Sequence, residues 1–299
     1  FDLYSMQKSA HGSHQFGAVR RKRKQPRMPD TSTTKIMALF CDFENVALGV
    51  KESANPKFDI NLVLERLLLK GNIVVKKAYC DWARYREFKP AMHEAAFELI
   101  EIPHVRMSGK NSADIRMVVD ALDLCYTKEH VDTFVIISGD SDFSPLVSKL
   151  RENNKNVVGV GVKNSTSELL IANCDEFIYY DDLIKRQPQQ KVRAARSQTK
   201  STKGTKPGRE SDERKQEAWD LIAETYEALL EDRGEEDKIW GSMIKQTLKR
   251  RKPGFAESYY GFRSFGEMIK EAAENGIIDV EKDEKSGGYI IKGCHYSAK

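Results

Sequence analysis

The sequence predicts an α/β protein: a parallel sheet with helices on both faces, followed by a small helical unit closed by a β-hairpin. Two observations carry the prediction. Between residues 36 and 180, short apolar runs of strand length alternate with helix-patterned stretches, and strands alternating with helices mean a parallel sheet covered on both sides. Beyond residue 211, three helix-patterned stretches precede two short apolar runs separated by Gly287-Gly288, the outline of a winged helix.

Taken in order, Ile36–Cys41 is an apolar run suited to a buried strand. Asn61–Leu69 is apolar at 62, 63, 64, 67, 68 and 69 and is followed by Gly71, a helix with a glycine stop. Asn72–Tyr79 reads as a strand, Pro90–Ile100 as a helix, and Glu101–Met107 as a short strand. Asp114–Leu124 is apolar at 115, 118, 119 and 122, an amphipathic helix expected to bury that stripe. Thr133–Ile137 is a strand. Pro145 opens a helix to Arg151, in the first-turn place that suits proline. Asn156–Val162 and Glu176–Tyr180 complete the strands, and 212–231, 240–250 and 262–275 are the helices of the second unit.

The 299 residues carry a formal charge of only +4, but its distribution is uneven. Residues 1–35 carry +6, 36–184 carry −6, 185–210 carry +8 and 211–299 carry −4. The expected organisation is a disordered basic tail (1–35), an α/β domain (36–184), a basic flexible linker (185–210) and a winged-helix domain (211–293). Acidic bodies on basic tethers suit a polyanionic partner. The chain opens on Phe1, which leaves Met6 or Met37 as candidate starts, or the chain as a piece of a longer one. No run approaches the roughly 18 apolar residues of a membrane span, and the apolar core of a secretory signal is absent from the tail. The five cysteines are scattered without Cys-x-x-Cys spacing, which argues against a disulfide framework or a thiolate zinc site and for a reduced, cytoplasmic setting.

Two acidic clusters follow two strands. Asp42-Phe43-Glu44-Asn45 succeeds the first, and Asp140-Ser141-Asp142 succeeds the Thr133–Ile137 strand across Gly139. Side chains just past the carboxyl ends of parallel strands line the ligand crevice of such sheets. Asp114, at the start of its helix, falls on the same edge. Converging carboxylates repel one another, and a divalent cation relieves the repulsion. An oxygen-only set favours Mg²⁺ or Mn²⁺, ions suited to attack of water on a phosphodiester. Each Asp taken alone could equally be a helix or turn cap, and Glu44 and Asn45 could position water or cap the next segment. Asp120 and Asp123 lie off the apolar stripe, where a solvated or structural role fits better.

These residues resemble the NYN domain, in the LabA/DUF88 branch of the PIN-like nucleases. The resemblance rests on Asp42-Phe43-Glu44-Asn45-Val46, Lys110-x-Ser112-Ala113-Asp114 and Ser138-Gly139-Asp140-Ser141-Asp142-Phe143-x-Pro145-Leu146-Val147. Gly159-Val160-Gly161-Val162 and Cys174-Asp175-Glu176-Phe177 extend it. It implies a Rossmann-like sheet and ribonuclease activity, with Asp42, Asp114, Asp140 and Asp142 at an Mg²⁺ or Mn²⁺ centre and Asn45 assisting. It also gives Asp120 a supporting role. The C-terminal block resembles the OST-HTH/LOTUS domain through Trp240-Gly241-Ser242-Met243-Ile244-Lys245-Gln246-x-Leu248, Tyr260-Gly261-Phe262-Arg263-Ser264-Phe265 and Gly287-Gly288-Tyr289. That family is associated with RNA metabolism, and its members bind RNA or a protein partner.

The expected activity is therefore metal-dependent hydrolysis of RNA. Nucleic-acid contact is expected from Lys245, Lys249, Arg250, Arg251, Lys252 and Arg263, beside an aromatic cluster (Phe255, Tyr259, Tyr260, Phe262 and Phe265) that is expected to be mostly core. A non-catalytic RNA-binding adaptor is the alternative. A phosphotransfer enzyme ranks below both, because Asp42-x-Glu44 lacks the paired Asp of that chemistry. RNA is the expected partner, with a protein partner and a homo-oligomer left open.

Overall fold

A computed structural model describes residues 34–53, 57–102, 112–185, 209–234, 237–284 and 286–295. Residues 1–33 of the expected tail, most of the expected linker, Lys110 and the 103–107 part of an expected strand lie outside these residues, and Lys35, expected in the tail, opens the first strand. Six parallel strands form the main sheet: β1 (Lys35–Asp42), β2 (Gly71–Cys80), β3 (Glu98–Glu101), β4 (Thr133–Ile137), β5 (Asn156–Gly161) and β6 (Glu176–Tyr179), in the order β3-β2-β1-β4-β5-β6. This is the doubly wound order, in which the winding reverses between β1 and β4 and leaves a crevice at their carboxyl ends.

Alternation along β1 builds two cores. Met37, Leu39 and Cys41 face α1 (Phe43–Glu52) and α2 (Ile60–Lys70), where they join Val46, Val50, Val63 and Leu67. Ala38 and Phe40 face the opposite way, towards α4 (Ser112–Thr127) and α5 (Ser144–Glu152), and join Met117, Ala121, Leu146 and Leu150. A strand buried on both faces has no polar side to show, hence the unbroken apolar run of Ile36–Cys41.

Two expectations are corrected. The helix expected over 90–100 is α3 (Lys89–Glu94) alone. The chain turns at Ala96, which has a φ of 56°, and the Phe97 amide donates to the Met92 carbonyl, so that 98–101 can pair with β2 as β3. On α4 the buried stripe is Met117, Ala121 and Cys125, while Ile115 and Val119 are exposed. Val118 and Leu122, the other half of the expected stripe, are partly buried and pack against this core. The sequence reading does not include α1 or α6 (Glu168–Asn173).

The C-terminal part comprises α7 (Arg209–Arg233), α8 (Gly241–Arg251) and α9 (Phe265–Glu274) with a three-stranded antiparallel sheet of β7 (Ile239–Trp240), β9 (Tyr289–Cys294) and β8 (Ile278–Lys282). Its core gathers Ile222, Tyr226, Ile244, Leu248, Phe262, Met268 and Ile269. Four of the five cluster aromatics are buried there, and Tyr259 is exposed, beside the Arg214 guanidinium. This part sits against the end of α2. Asp232 on α7 pairs with Arg66 (2.9 Å) and Lys70 (2.6 Å), and Arg250 on α8 donates to the carbonyls of Leu68 (2.9 Å) and Leu69 (3.1 Å). Since α2 leads directly into the first residue of β2, this contact lies at the pole where strands begin, opposite the crevice. Among the described residues no helix is long and apolar enough to cross a membrane.

Candidate active site

β1 ends at Asp42 and α1 starts at Phe43. The Asp42 Oδ1 accepts the Asn45 amide (3.4 Å), so Asp42 is the N-cap of α1. Phe43 anchors this corner: fully buried, it meets the rings of Trp82, Tyr85, Phe88 and Phe58 at 5.0–5.8 Å between centroids. β4 runs beside β1 with Ile137 opposite Cys41. Past it, the Ser138 hydroxyl donates to Asp42 Oδ2 (3.0 Å), and the Asp140 amide donates to that hydroxyl (3.2 Å). The Asn45 side-chain oxygen accepts the Gly139 amide (2.8 Å), which ties the head of α1 to the turn after β4. Gly139 is required there: a Cβ would stand 2.4 Å from the Ser165 carbonyl oxygen. Asp140 caps the next turn in its own way, accepting the Asp142 amide (2.9 Å).

Asp114 occupies the first turn of α4, a helix that packs against β1 and the turn at 141–143. Burial, then the Asp114 carboxylate, push the Asp42 carboxyl up to about 7; the Ser138 and Asn45 hydrogen bonds pull the other way and Asp140 adds to the rise. Burial pushes Asp114 up to about 6, helped by Asp140, Asp142 and Glu44. Asp114 and Asp140 thus act on Asp42, and Asp140 and Asp142 act on Asp114, with Asn45 holding the frame. The donor chemistry suits a hard divalent cation: oxygen-only, mutually repelling and partly desolvated. The side chains do not form a preformed cage. Among the described residues no three His, Cys, Asp or Glu side chains are grouped so as to hold an ion as they stand.

Asp120 stands apart from this cluster. Its Oδ2 accepts the hydroxyl of buried Tyr79 (2.9 Å) and pairs with Lys77 (3.3 Å), and its Oδ1 pairs with Arg116 (3.1 Å). It fastens α4, the helix that carries Asp114, to β2. Sequence reasoning passed over two residues here. Ser138 was visible only as part of a motif, and its bridge between Asp42 and Asp140 needs the β1–β4 pairing. Arg84, paired with Glu44 at 2.9 Å, gave no sequence signal at all.

The basic residues expected to meet nucleic acid are divided. Arg250 is committed to the α2 carbonyls and Thr247, Arg251 lies 3.7 Å from Glu224, and Lys245 pairs with Glu257 at 2.8 Å. The Lys249, Lys252 and Arg263 side chains are exposed.

Comparison with known proteins matches residues 36–182 to the NYN domain. An uncharacterised protein of Methanocaldococcus jannaschii is 27% identical over 112 residues, 38% of this chain and 43% of that one. The meiosis regulator and mRNA stability factor 1 of Xenopus tropicalis is 24% identical over 166 residues, 54% of this chain and 10% of that one. The chain thus spans less than half the length of either relative. A crystal structure of a protein of unknown function from Vibrio parahaemolyticus is 28% identical, with a TM-score of 0.46, over 52% of this chain and 98% of that one.

Proposed function

Because residues 36–182 carry an NYN domain, a family that is generally ribonuclease-like, we propose that the protein is a metal-dependent ribonuclease. In this reading it hydrolyses RNA phosphodiester bonds at the β1–β4 crevice, and its C-terminal part is an OST-HTH/LOTUS-like module that binds RNA or a protein partner. The observation that supports the catalytic reading is the influence of Asp114 and Asp140 on buried Asp42, and of Asp140 and Asp142 on Asp114, at the topological switch point.

Asp42, Asp114, Asp140 and Asp142 would hold Mg²⁺ or Mn²⁺, which when bound supplies a more acidic water and offsets charge on the phosphoryl oxygens. The protein's own groups do the rest. Ser138 and the Asn45 amide each bond one oxygen of Asp42 and fix its plane. The Asn45 side chain holds the Gly139 amide, so Asp140 keeps its distance from Asp42 when RNA enters. Water attacks phosphorus, the bond from phosphorus to the leaving ribose oxygen breaks, and the proton lost by the water is balanced by one gained at the leaving oxygen. The products are one phosphomonoester end and one hydroxyl end.

The test is cleavage of a labelled RNA pool of mixed structure by wild type, Asp42→Asn and Asp140→Asn, with circular dichroism to verify folding. Loss of at least a hundredfold in both folded variants is expected. Normal cleavage by either overturns the site. RNA binding by wild type without turnover assigns the protein to the adaptor reading.

A further inference from the structure

We infer that Arg84 is a substrate-positioning residue that holds the RNA phosphate neighbouring the one cleaved. The inference rests on the ribonuclease reading and adds a cation to that site's acids.

Arg84 lies in the turn that follows β2, the strand next to β1 on the side away from β4. That turn is rigidly built. The Arg84 amide donates to the Asp81 carbonyl (3.0 Å), the Ala83 amide to the Asp81 carboxylate (3.0 Å), and the Trp82 amide to Glu101 (2.9 Å). Trp82 is buried against Phe43, and Tyr85 meets the same ring edge-on, so the turn and the head of α1 are one packed block. The Arg84 backbone is thereby fixed relative to Asp42.

The guanidinium reaches back over this block to Glu44, 2.9 Å away, in the first turn of α1 and two residues past Asp42. Arg84 therefore sits at the lip of the acidic crevice. Its side chain is half exposed, at 51%, and that of Glu44 at 35%. A solvent-exposed pair of this kind is weak and exchangeable, and a phosphate presents the guanidinium fork with the same paired oxygens that a carboxylate does. Neighbouring strands lie about 5 Å apart. A ribose-phosphate backbone laid across the strand ends with one phosphate at β1–β4 brings the next one over the turn after β2. Glu44 then acts as a placeholder for that phosphate in the RNA-free protein.

The test measures binding of a fluorescein-labelled single-stranded RNA to the full chain by anisotropy, in EDTA and across 50–300 mM KCl. EDTA removes turnover from the readout. Wild type is compared with Arg84→Ala, Arg84→Lys and, as a control for loss of any surface charge, Lys270→Ala, whose side chain is exposed on α9. Arg84→Ala is expected to weaken binding about tenfold and to lower the slope of log affinity against log salt by about one, as loss of a phosphate contact does. Arg84→Lys is expected to restore the slope and part of the affinity, and Lys270→Ala to match wild type. An unchanged slope in Arg84→Ala, or an equal loss in Lys270→Ala, overturns the inference, as does absence of RNA binding by wild type. Because binding is read without turnover, a wild type that binds RNA but does not cleave it removes the ribonuclease reading and leaves the Arg84 contact to be judged by its own slope.

Discussion

Asp42 does two things that its sequence context presented as alternatives. It caps α1 through the Asn45 amide, and it sits in the field of Asp114 and Asp140. Asp140 likewise caps its turn while repelling Asp114. A strand-end Asp that opens a helix is held in a fixed rotamer by the capping bond, which is how a cap becomes part of a site. The residue types were legible because Asp clusters after two strands are unusual. The Ser138 bridge was not, because a serine gives no signal until its partner strand is known. The raised carboxyls carry a prediction about the metal-free protein. Both groups have folded values above their ordinary 3.8, at about 7 for Asp42 and about 6 for Asp114. Each binds more protons folded than unfolded between those limits, so the stability it contributes is present below about pH 4 and is lost as pH rises to about 7. Urea denaturation in EDTA is expected to show stability falling over that window, and Asp42→Asn is expected to flatten the fall by on the order of 2–4 kcal/mol. A slope identical to wild type in that variant would contradict the burial assigned to Asp42.

At the scale of elements, α4 shows where periodicity misleads. Of residues 115, 118, 119 and 122, which form a plausible apolar stripe, only Val118 and Leu122 pack on the core; the buried centre is Met117, Ala121 and Cys125, and Ile115 and Val119 are exposed. This rotation also lets Asp120 accept the Tyr79 hydroxyl and pair with Lys77 on β2. A helix with two usable apolar faces leaves that choice to tertiary contacts no window of sequence contains. Asp120→Ala is expected to lower stability by about 1–3 kcal/mol, since it strands the buried Tyr79 hydroxyl, and to reduce activity by loosening the helix that carries Asp114. Thermal melts alongside cleavage assays check this, and a variant that melts like wild type would show that another contact fixes α4. Gly139 makes the opposite case: here the sequence suggested a tight turn, and the structure supplies the reason in the Ser165 carbonyl. Gly139→Ala is expected to shift that turn, with cleavage lost faster than stability; equal cleavage by the alanine variant would remove the turn from the account.

For the whole molecule, alternation of strands and helices was enough to give the class of the main sheet, but not the order β3-β2-β1-β4-β5-β6 that places Asp42 beside Ser138. Nor did the basic stretch between the two parts suggest that they would meet. They do so through charge: Asp232, 7% exposed in its side chain, faces Arg66 and Lys70, and Arg250 caps the end of α2. A run of basic residues read as an RNA surface thus contributes one member to an internal contact at the pole opposite the crevice. Breaking a buried pair from one side leaves the other charge uncompensated. Asp232→Ala is therefore expected to release the C-terminal part and raise the radius of gyration measured by small-angle scattering; an unchanged profile would show that the contact is held by other means. At the crevice itself, the decisive experiment is the rate of RNA cleavage against free Mn²⁺, from EDTA to saturation, in wild type and Asp140→Asn. A metal-dependent site at these carboxylates gives no cleavage in EDTA, a saturable rise with Mn²⁺ in wild type, and no rise in the variant. Cleavage that persists in EDTA, or an equal rise in Asp140→Asn, would contradict it.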